Sequence, residues 1–282
     1  MKRIPLVLLA AVGFAAALQA EDPKIEIPQQ SPLNTVRQVV GLTDIEVVYS
    51  RPGVKGRTVF GGLESYGKVW RTGANASTKI KFSTAVKLNG SAVPAGTYAL
   101  YTIPGEREWT IILSRDTTLW GAYGYDAKND LVRFPATPTK LTEPVETFTI
   151  DLNEIRTESA TLELRWQNTR VAVKLECSAI APAFAQIEAA LAAAGEKSAG
   201  FYYNVLEFCL ANDVGLPKAS VWADQGIAQH PKAAWVIIEK AWILQKLGDK
   251  PGAIATARLA AAAAPGDQGL AQAAQQLIAS LQ

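Results

Sequence analysis

The sequence predicts a two-part β + α chain: an antiparallel β-sandwich, with a barrel-like closure as its variant form, followed by a short helical repeat stack. Three observations predict it. Period-two runs rich in Thr, Val, Ile, Tyr and Trp fill residues 31–178, the pattern of strands with one buried face. No helical stretch among them could carry a parallel crossover, so the sheets are expected to be antiparallel. Residues 183–282 are instead rich in Ala, Leu and Gln at helical spacing. A chain of 282 residues, 49% hydrophobic, has enough apolar material for two modest domains.

In chain order, residues 1–20 have the pattern of a secretory signal peptide. Lys2 and Arg3 precede an uncharged apolar run, Ile4 to Leu18, and Ala20 stands before Glu21 and Asp22. The run is shorter than the ~20 residues of a spanning helix, and no later stretch is long and apolar enough. The mature protein is therefore expected in the periplasm or secreted, with no membrane span, residues 21–30 forming a linker. The formal charge of +2 comes from Lys2 and Arg3 alone (2 − 2 = 0 without residues 1–20). A neutral chain argues against nucleic acid as the partner, since phosphate contacts need a basic surface. One histidine, His230, leaves little room for Ser-His, Cys-His or poly-His metal chemistry, and its place before Pro231 suits a surface or capping residue. Export makes Cys177 and Cys209 either a disulfide joining the two halves or two separate buried thiols.

The strand runs are Asp44 to Tyr49, Thr78 to Phe82, Thr97 to Ile103, Glu108 to Leu113, Glu146 to Ile150, Thr161 to Trp166 and Arg170 to Leu175. Asn89-Gly90 signals a hairpin turn after Val86-Lys87-Leu88. Asn168 suggests a second tight turn between Trp166 and Arg170. In the helical part Pro265 − Pro231 and Ala253 − Ala219 are both 34, the period of tetratricopeptide helix-turn-helix repeats. Two repeats, 200–233 and 234–267, are expected. The second resembles that family through Leu247-Gly248-Asp249 at its turn, Ala253, Ile254, Ala257, Ala260 and the closing Pro265. Helices at Ala183 to Ala194 and Gly269 to Leu281 would cap the stack.

Long motifs carry a second resemblance. Ser31-Pro32 with Gln38 and Gly41 is followed by Tyr49-Ser50-Arg51-Pro52-Gly53-Val54-Lys55-Gly56-Arg57, then Phe60-Gly61-Gly62-Leu63 and Tyr66 to Asn75. Ile80, Phe82-Ser83, Pro94 to Tyr98, Ile103-Pro104 and Trp109-Thr110 complete it. On these motifs residues 31–176 resemble the bacterial domain-of-unknown-function family 2911. The resemblance implies an exported domain without an assigned activity, and it supplies no catalytic residues.

Three groups of residues invite a functional reading. The segment Tyr49 to Asn75 sets Arg51, Lys55, Arg57, Lys68 and Arg71 among six glycines with Tyr66, Trp70 and Asn75, and its only acid is Glu64. Guanidinium forks bind carboxylates and phosphates, so Arg51, Arg57 and Arg71 could converge with Trp70 on a small anionic or carbohydrate ligand. Alternatively they brace a long loop. The run Trp120, Tyr123 and Tyr125 suits stacking on a sugar or aromatic ring, or an ordered loop with its rings turned inward. Phe201, Phe208, Trp235 and Trp242 recur at equal offsets and form a stripe for a protein partner or for docking on the sandwich. The expected function is an exported cell-envelope ligand-binding or protein-interaction module, with no cofactor and no metal. The alternative is a carboxylate-dependent hydrolase of carbohydrate or envelope polymer, with Glu64, Glu106, Glu108, Asp116, Asp126 and Asp130 as candidate acids.

Overall fold

A computed structural model describes residues 26–282. The signal-peptide reading of residues 1–20 lies outside the described residues. Among those described, ten strands in two antiparallel sheets precede six helices. One sheet holds β1 (Leu33–Val40), β2 (Thr43–Ser50), β3 (Ala74–Phe82), β6 (Gly96–Ile103), β7 (Trp109–Ser114) and β8 (Asp130–Ala136) in that order. The other runs β5 (Ser91–Val93), β4 (Val86–Leu88), β10 (Ser159–Cys177), β9 (Pro138–Asn153). The sheets do not close into a barrel. Their facing sides share one core, which joins Ile45, Val47, Ile80 and Leu100 to Leu88, Phe148, Leu162 and Val173.

Alternation explains most strands, and the departures are informative. In β6, Leu100 faces the shared core while Ala99 and Tyr101 face outward, yet all three are fully buried. Ile112 of β7 joins that outward cluster, which is roofed by Val69, Leu119, Ala122 and Tyr125. The outer face of the six-stranded sheet is therefore covered by two loops rather than by solvent. The Asn89-Gly90 turn has both residues at positive φ, 44° and 82°, the twist a two-residue hairpin requires.

The turn expected at Asn168 is absent: β10 continues from Ser159 to Cys177. Asn168 instead lies in a bulge, where the register with β9 shifts between Arg165 and Gln167 and again between Gln167 and Thr169, with Gln167 at φ 51°. Bulged strands bend without reversing, so the two runs taken for separate strands are one.

A pack of aromatic rings closes the core. Trp70 stacks on Trp166 (centroids 5.7 Å apart, 18° between planes) and meets Phe148 at 5.0 Å, Phe60 at 5.7 Å and Trp109 at 6.3 Å edge to face. Its indole Nε1 donates to the Gly73 carbonyl at 3.0 Å.

Strand gives way to helix within three residues. Glu158 accepts the amides of both Ala179 and Ile180, and these bonds hold its carboxyl below the usual carboxylate range. The helices are α1 (Ile180–Ala192), α2 (Ala199–Asn212), α3 (Leu216–Gln229), α4 (Ala234–Lys246), α5 (Lys250–Ala263) and α6 (Gln268–Leu281). None is long and apolar enough to cross a membrane. Small residues let them approach: a Cβ on Gly226 of α3 would lie 2.7 Å from Tyr202 Cγ of α2. Cys177 and Cys209 are free thiols, which corrects the disulfide alternative. Cys177 Sγ donates to the Val40 carbonyl at 3.3 Å. Cys209 is sealed in the α2–α3 core, where burial pushes its thiol up to about 11.

Removing a fully enclosed indole leaves a cavity that the surrounding rings cannot fill. Trp70→Ala is expected to destabilise the protein by about 3–5 kcal/mol, measured by denaturant unfolding at matched m-value.

Candidate functional site

The glycine-rich segment between β2 and β3 leaves the six-stranded sheet, crosses to the other sheet and returns. Phe148 donates its amide to the Pro52 carbonyl (2.9 Å) and Val54 donates to Glu146 (2.8 Å). Lys55 at φ 49° and Gly56 at φ 71° turn the chain at an exposed tip. The Val59 amide then donates to Gln167 Oε1 at 3.0 Å, and Trp70 exchanges both backbone hydrogen bonds with Thr102 of β6.

The arginines expected to converge on a ligand do not. Arg51 donates to the Phe148 carbonyl (3.0 Å) and Thr149 Oγ1 (2.8 Å). Arg57 donates to the carbonyls of Val54 (3.0 Å) and Gly53 (2.7 Å), and Arg71 to that of Asn75 (3.1 Å). A long loop without a ladder leaves carbonyls that need donors, and guanidinium forks supply them. Trp70 is 3% exposed and belongs to the core. Asn75, at φ 59°, donates to the Ser31 carbonyl and Ser50 Oγ, so it braces the strand entry. The ring of Tyr66, half-exposed, lies over Gly61, where a Cβ would sit 2.7 Å from it.

The structure does bring the two singled-out loops together. Gly121, at φ 72°, is the meeting point: a Cβ there would lie 2.8 Å from Arg71 Nη1 and 3.3 Å from Tyr123 Cδ2. The loop is pinned from below, where Ser77 bonds the Leu119 carbonyl through amide and hydroxyl and Tyr101 donates to the Gly121 carbonyl. Trp120 and Tyr123 are left 64% and 77% exposed, flanking a glycine whose open face holds the Arg71 guanidinium. Tyr125 does not join them. Its ring packs on Tyr101 at 5.0 Å, its hydroxyl donates to Asp130 Oδ2 at 2.7 Å, and Arg133 donates to both. Burial and the Asp130 carboxylate push the Tyr125 phenol up to about 12, so it serves the loop's interior.

Beside Arg71 stands Glu64, a residue the sequence marked only as the lone acid of its segment. Its side chain makes no hydrogen bond or ion pair within 4 Å among the described residues. Burial pushes its carboxyl up to about 7, although the guanidinium groups of Arg71 and Arg57 pull the other way. Three of the other candidate acids are engaged: Asp116 accepts from Thr118, Asp126 from the Lys128 amide, and Asp130 from Tyr125 and Arg133; Glu106 and Glu108 are exposed on the turn between β6 and β7. The result is a ledge of two exposed rings with a guanidinium and a carboxyl that is half-neutral near pH 7. Such a surface can stack on the face of a sugar ring and pair with an acidic substituent.

In the helical part the four aromatics of the expected stripe separate. Phe201 and Phe208 of α2 pack into the α2–α3 cluster and Trp242 of α4 into the α4–α6 cluster. Trp235 stays 44% exposed on a groove of about 600 Å³ that also holds Tyr203, Lys232 and Asp267. His230 ends α3, its Nε2 2.6 Å from the Lys197 carbonyl.

No curated protein and no solved structure matches the chain. A family model described as "Protein of unknown function (DUF2911)" matches residues 31–175, all ten strands except the last two residues of β10. The ledge at Gly121, both loops that build it and the aromatic pack beneath lie within that stretch, and the chain belongs to the DUF2911 family.

Proposed function

We propose that the protein is an exported cell-envelope binding module whose ledge takes an acidic sugar. The observation that carries this reading is the pair of exposed rings, Trp120 and Tyr123, on the loop whose Gly121 meets the Arg71 guanidinium. Large apolar rings left in water on a rigidly pinned loop are the usual mark of a binding surface. The helical part is read as a tetratricopeptide-like stack for protein interaction. Supporting that, α3 and α5 begin 34 residues apart (250 − 216), and the matching Ala219, Ala223 and Ala253, Ala257, Ala260 are all fully buried. Export rests on the pattern of residues 1–20, and Edman sequencing of protein from a periplasmic fraction is expected to begin at Glu21.

The alternative, a carboxylate-dependent hydrolase, draws on Glu64, whose elevated carboxyl suits a general acid. It also needs a second carboxylate across the bond; Asp116, Asp126 and Asp130 already have partners, and Glu106 and Glu108 stand exposed on the turn between β6 and β7. Incubation with a uronic-acid trisaccharide is expected to give binding without reducing-end product.

Calorimetric titration with that trisaccharide and its neutral counterpart tests the binding reading. Trp120→Ala and Tyr123→Ala are each expected to cost about 1 kcal/mol of affinity, roughly fivefold, with unfolding midpoints unchanged. No preference for the acidic sugar, or no effect of either substitution, would refute the reading.

The protonation of Glu64 gives a further expectation. As pH rises through about 7, Glu64 becomes an anion beside Arg71, so an acidic ligand binds less tightly above that pH and Glu64→Gln removes the dependence. The same group acts on folding. Its carboxyl is raised in the folded state, so its contribution to stability is full below the unfolded value of 4.5 and is lost as pH rises through about 7. Thermal unfolding of Glu64→Gln across pH 4–8 should show a shallower decline than the parent.

A further inference from the structure

Each of the two open sheets has two edges, and three of the four are covered or short. The edge of β8 is met by the β4–β5 hairpin, whose Asn89 donates to the Pro135 carbonyl at 3.2 Å. The edge of β9 is met by the glycine-rich segment through Pro52 and Val54, and β5 has only three residues. β1 runs eight residues, Leu33–Val40, with a strand on one side only. Its register fixes which backbone groups point outward. Val40 and Thr43 close a two-residue turn, and such a closing pair exchanges both backbone hydrogen bonds. The Arg51 amide donates to the Pro32 carbonyl in the same register. Even-numbered residues therefore bond to β2, and Leu33, Thr35, Arg37 and Val39 turn their amides and carbonyls away from it. Among the described residues one of these outward groups has a partner: the Val39 carbonyl takes the side-chain amide of the adjacent Gln38 at 2.8 Å.

The side chains of this edge are as open as its backbone. Leu33 is 70% and Val39 53% exposed. Both stand on the outer face with Thr35 and Arg37, while Asn34, Val36 and Gln38 lie on the inner face. An antiparallel copy laid along the edge must set outer side chains beside outer ones, so the numbers of opposed residues add to an even sum. A sum of 74 sets Arg37 directly against Arg37 of the second copy, two like charges. Sums of 70 and 76 set Arg37 against Leu33 and against Val39. A sum of 72 sets Leu33 against Val39, Thr35 against Arg37, Asn34 against Gln38, and Val36 against itself on the two-fold axis. In that register apolar meets apolar and polar meets polar at every position, and the outward groups at 33, 35, 37 and 39 form the bonded pairs.

We propose that β1 pairs with β1 of a second copy, antiparallel and centred on Val36, joining two six-stranded sheets into one. Self-complementarity in a single register carries the inference. An edge of this length, with free amides and exposed Leu and Val side chains, is a template for another strand, and Arg37 disfavours the neighbouring registers. On pairing, the Val39 carbonyl exchanges the Gln38 side chain for the Leu33 amide of the second copy. The ledge at Gly121 lies over β6 and β7, away from this edge, so the pairing stands whether or not that surface binds a sugar.

Sedimentation velocity of the whole chain over a dilution series gives the test. One strand pair is a small interface, so the dimer should form at about 10–100 μM. Thr35→Arg sets an arginine against each Arg37 and should leave a monomer. Thr35→Glu sets a carboxylate there instead and should tighten the dimer about fivefold. Both alter an exposed side chain, so circular dichroism should not change. Val39→Pro removes an outward amide, spares the bonds between β1 and β2, and should also leave a monomer. Val36→Cys should give a disulfide-linked dimer on air oxidation, since the two Cα atoms of such a pair face each other about 4.5 Å apart. Gln38→Cys, which lies opposite Asn34, should not. Should Val39→Pro or Val36→Cys fail to fold, the two Thr35 substitutions decide alone. A chain that stays monomeric at about 300 μM, even one whose edge takes an unrelated extended peptide, overturns the proposal. So does a dimer indifferent to both Thr35 substitutions, or one cross-linked through Gln38→Cys and not through Val36→Cys.

Discussion

The burial of Trp70 among Phe60, Trp109, Phe148 and Trp166 is the constraint on which the β-sheet part depends. Those rings come from four places: the glycine-rich loop, β7 of one sheet, and β9 and β10 of the other. Two sheets facing each other need only apolar strands. A loop of more than twenty residues crossing between them needs an anchor, because its ordering entropy is large and it has no ladder of its own. Trp70 is that anchor. With its ring in the core and its backbone paired to Thr102, the next residue, Arg71, can only emerge on the outer face of the six-stranded sheet. The ledge therefore inherits its position from the core.

That dependence also explains what could be read from residues alone. Alternation in β2 and β3 showed the strands because one face of each is buried and its period is short-range. The roofing of Ala99, Tyr101 and Ile112 on the opposite face left only a weak trace, an excess of apolar residues at both parities. The bulge at Gln167 resembles a turn in sequence, since a residue at positive φ beside Asn168 serves either; only the continued pairing with β9 distinguishes them. The arginines of the loop were conspicuous by composition, yet their partners are backbone carbonyls, which every residue carries and no motif records. Glu64 and Glu239 carry no signal of their own, because what sets them apart is the lack of a hydrogen-bond donor among the described residues.

Both of those acids illustrate one rule about ionisable groups in this molecule. Where a carboxylate is given donors, as Glu163 is by Arg170 and Asn153 or Glu158 by two amides, its proton affinity is lowered and it contributes to the fold. Where it is enclosed without donors, as at Glu64 and Glu239, its proton affinity rises and the fold bears the cost. Groups of the second kind are poor structural elements.

β10 is the longest strand, lies between β4 and β9, and runs into the first helix with only two residues between. A tension applied to the helices is therefore delivered along the axis of an interior strand. Hydrogen bonds on both its edges then share the load in shear, all at once, instead of parting one after another as they would on a peeled edge strand. The Glu158 carboxylate clamps the point of attachment. A chain built this way resists mechanical extension at the seam between its two halves, where multi-part chains are ordinarily weakest.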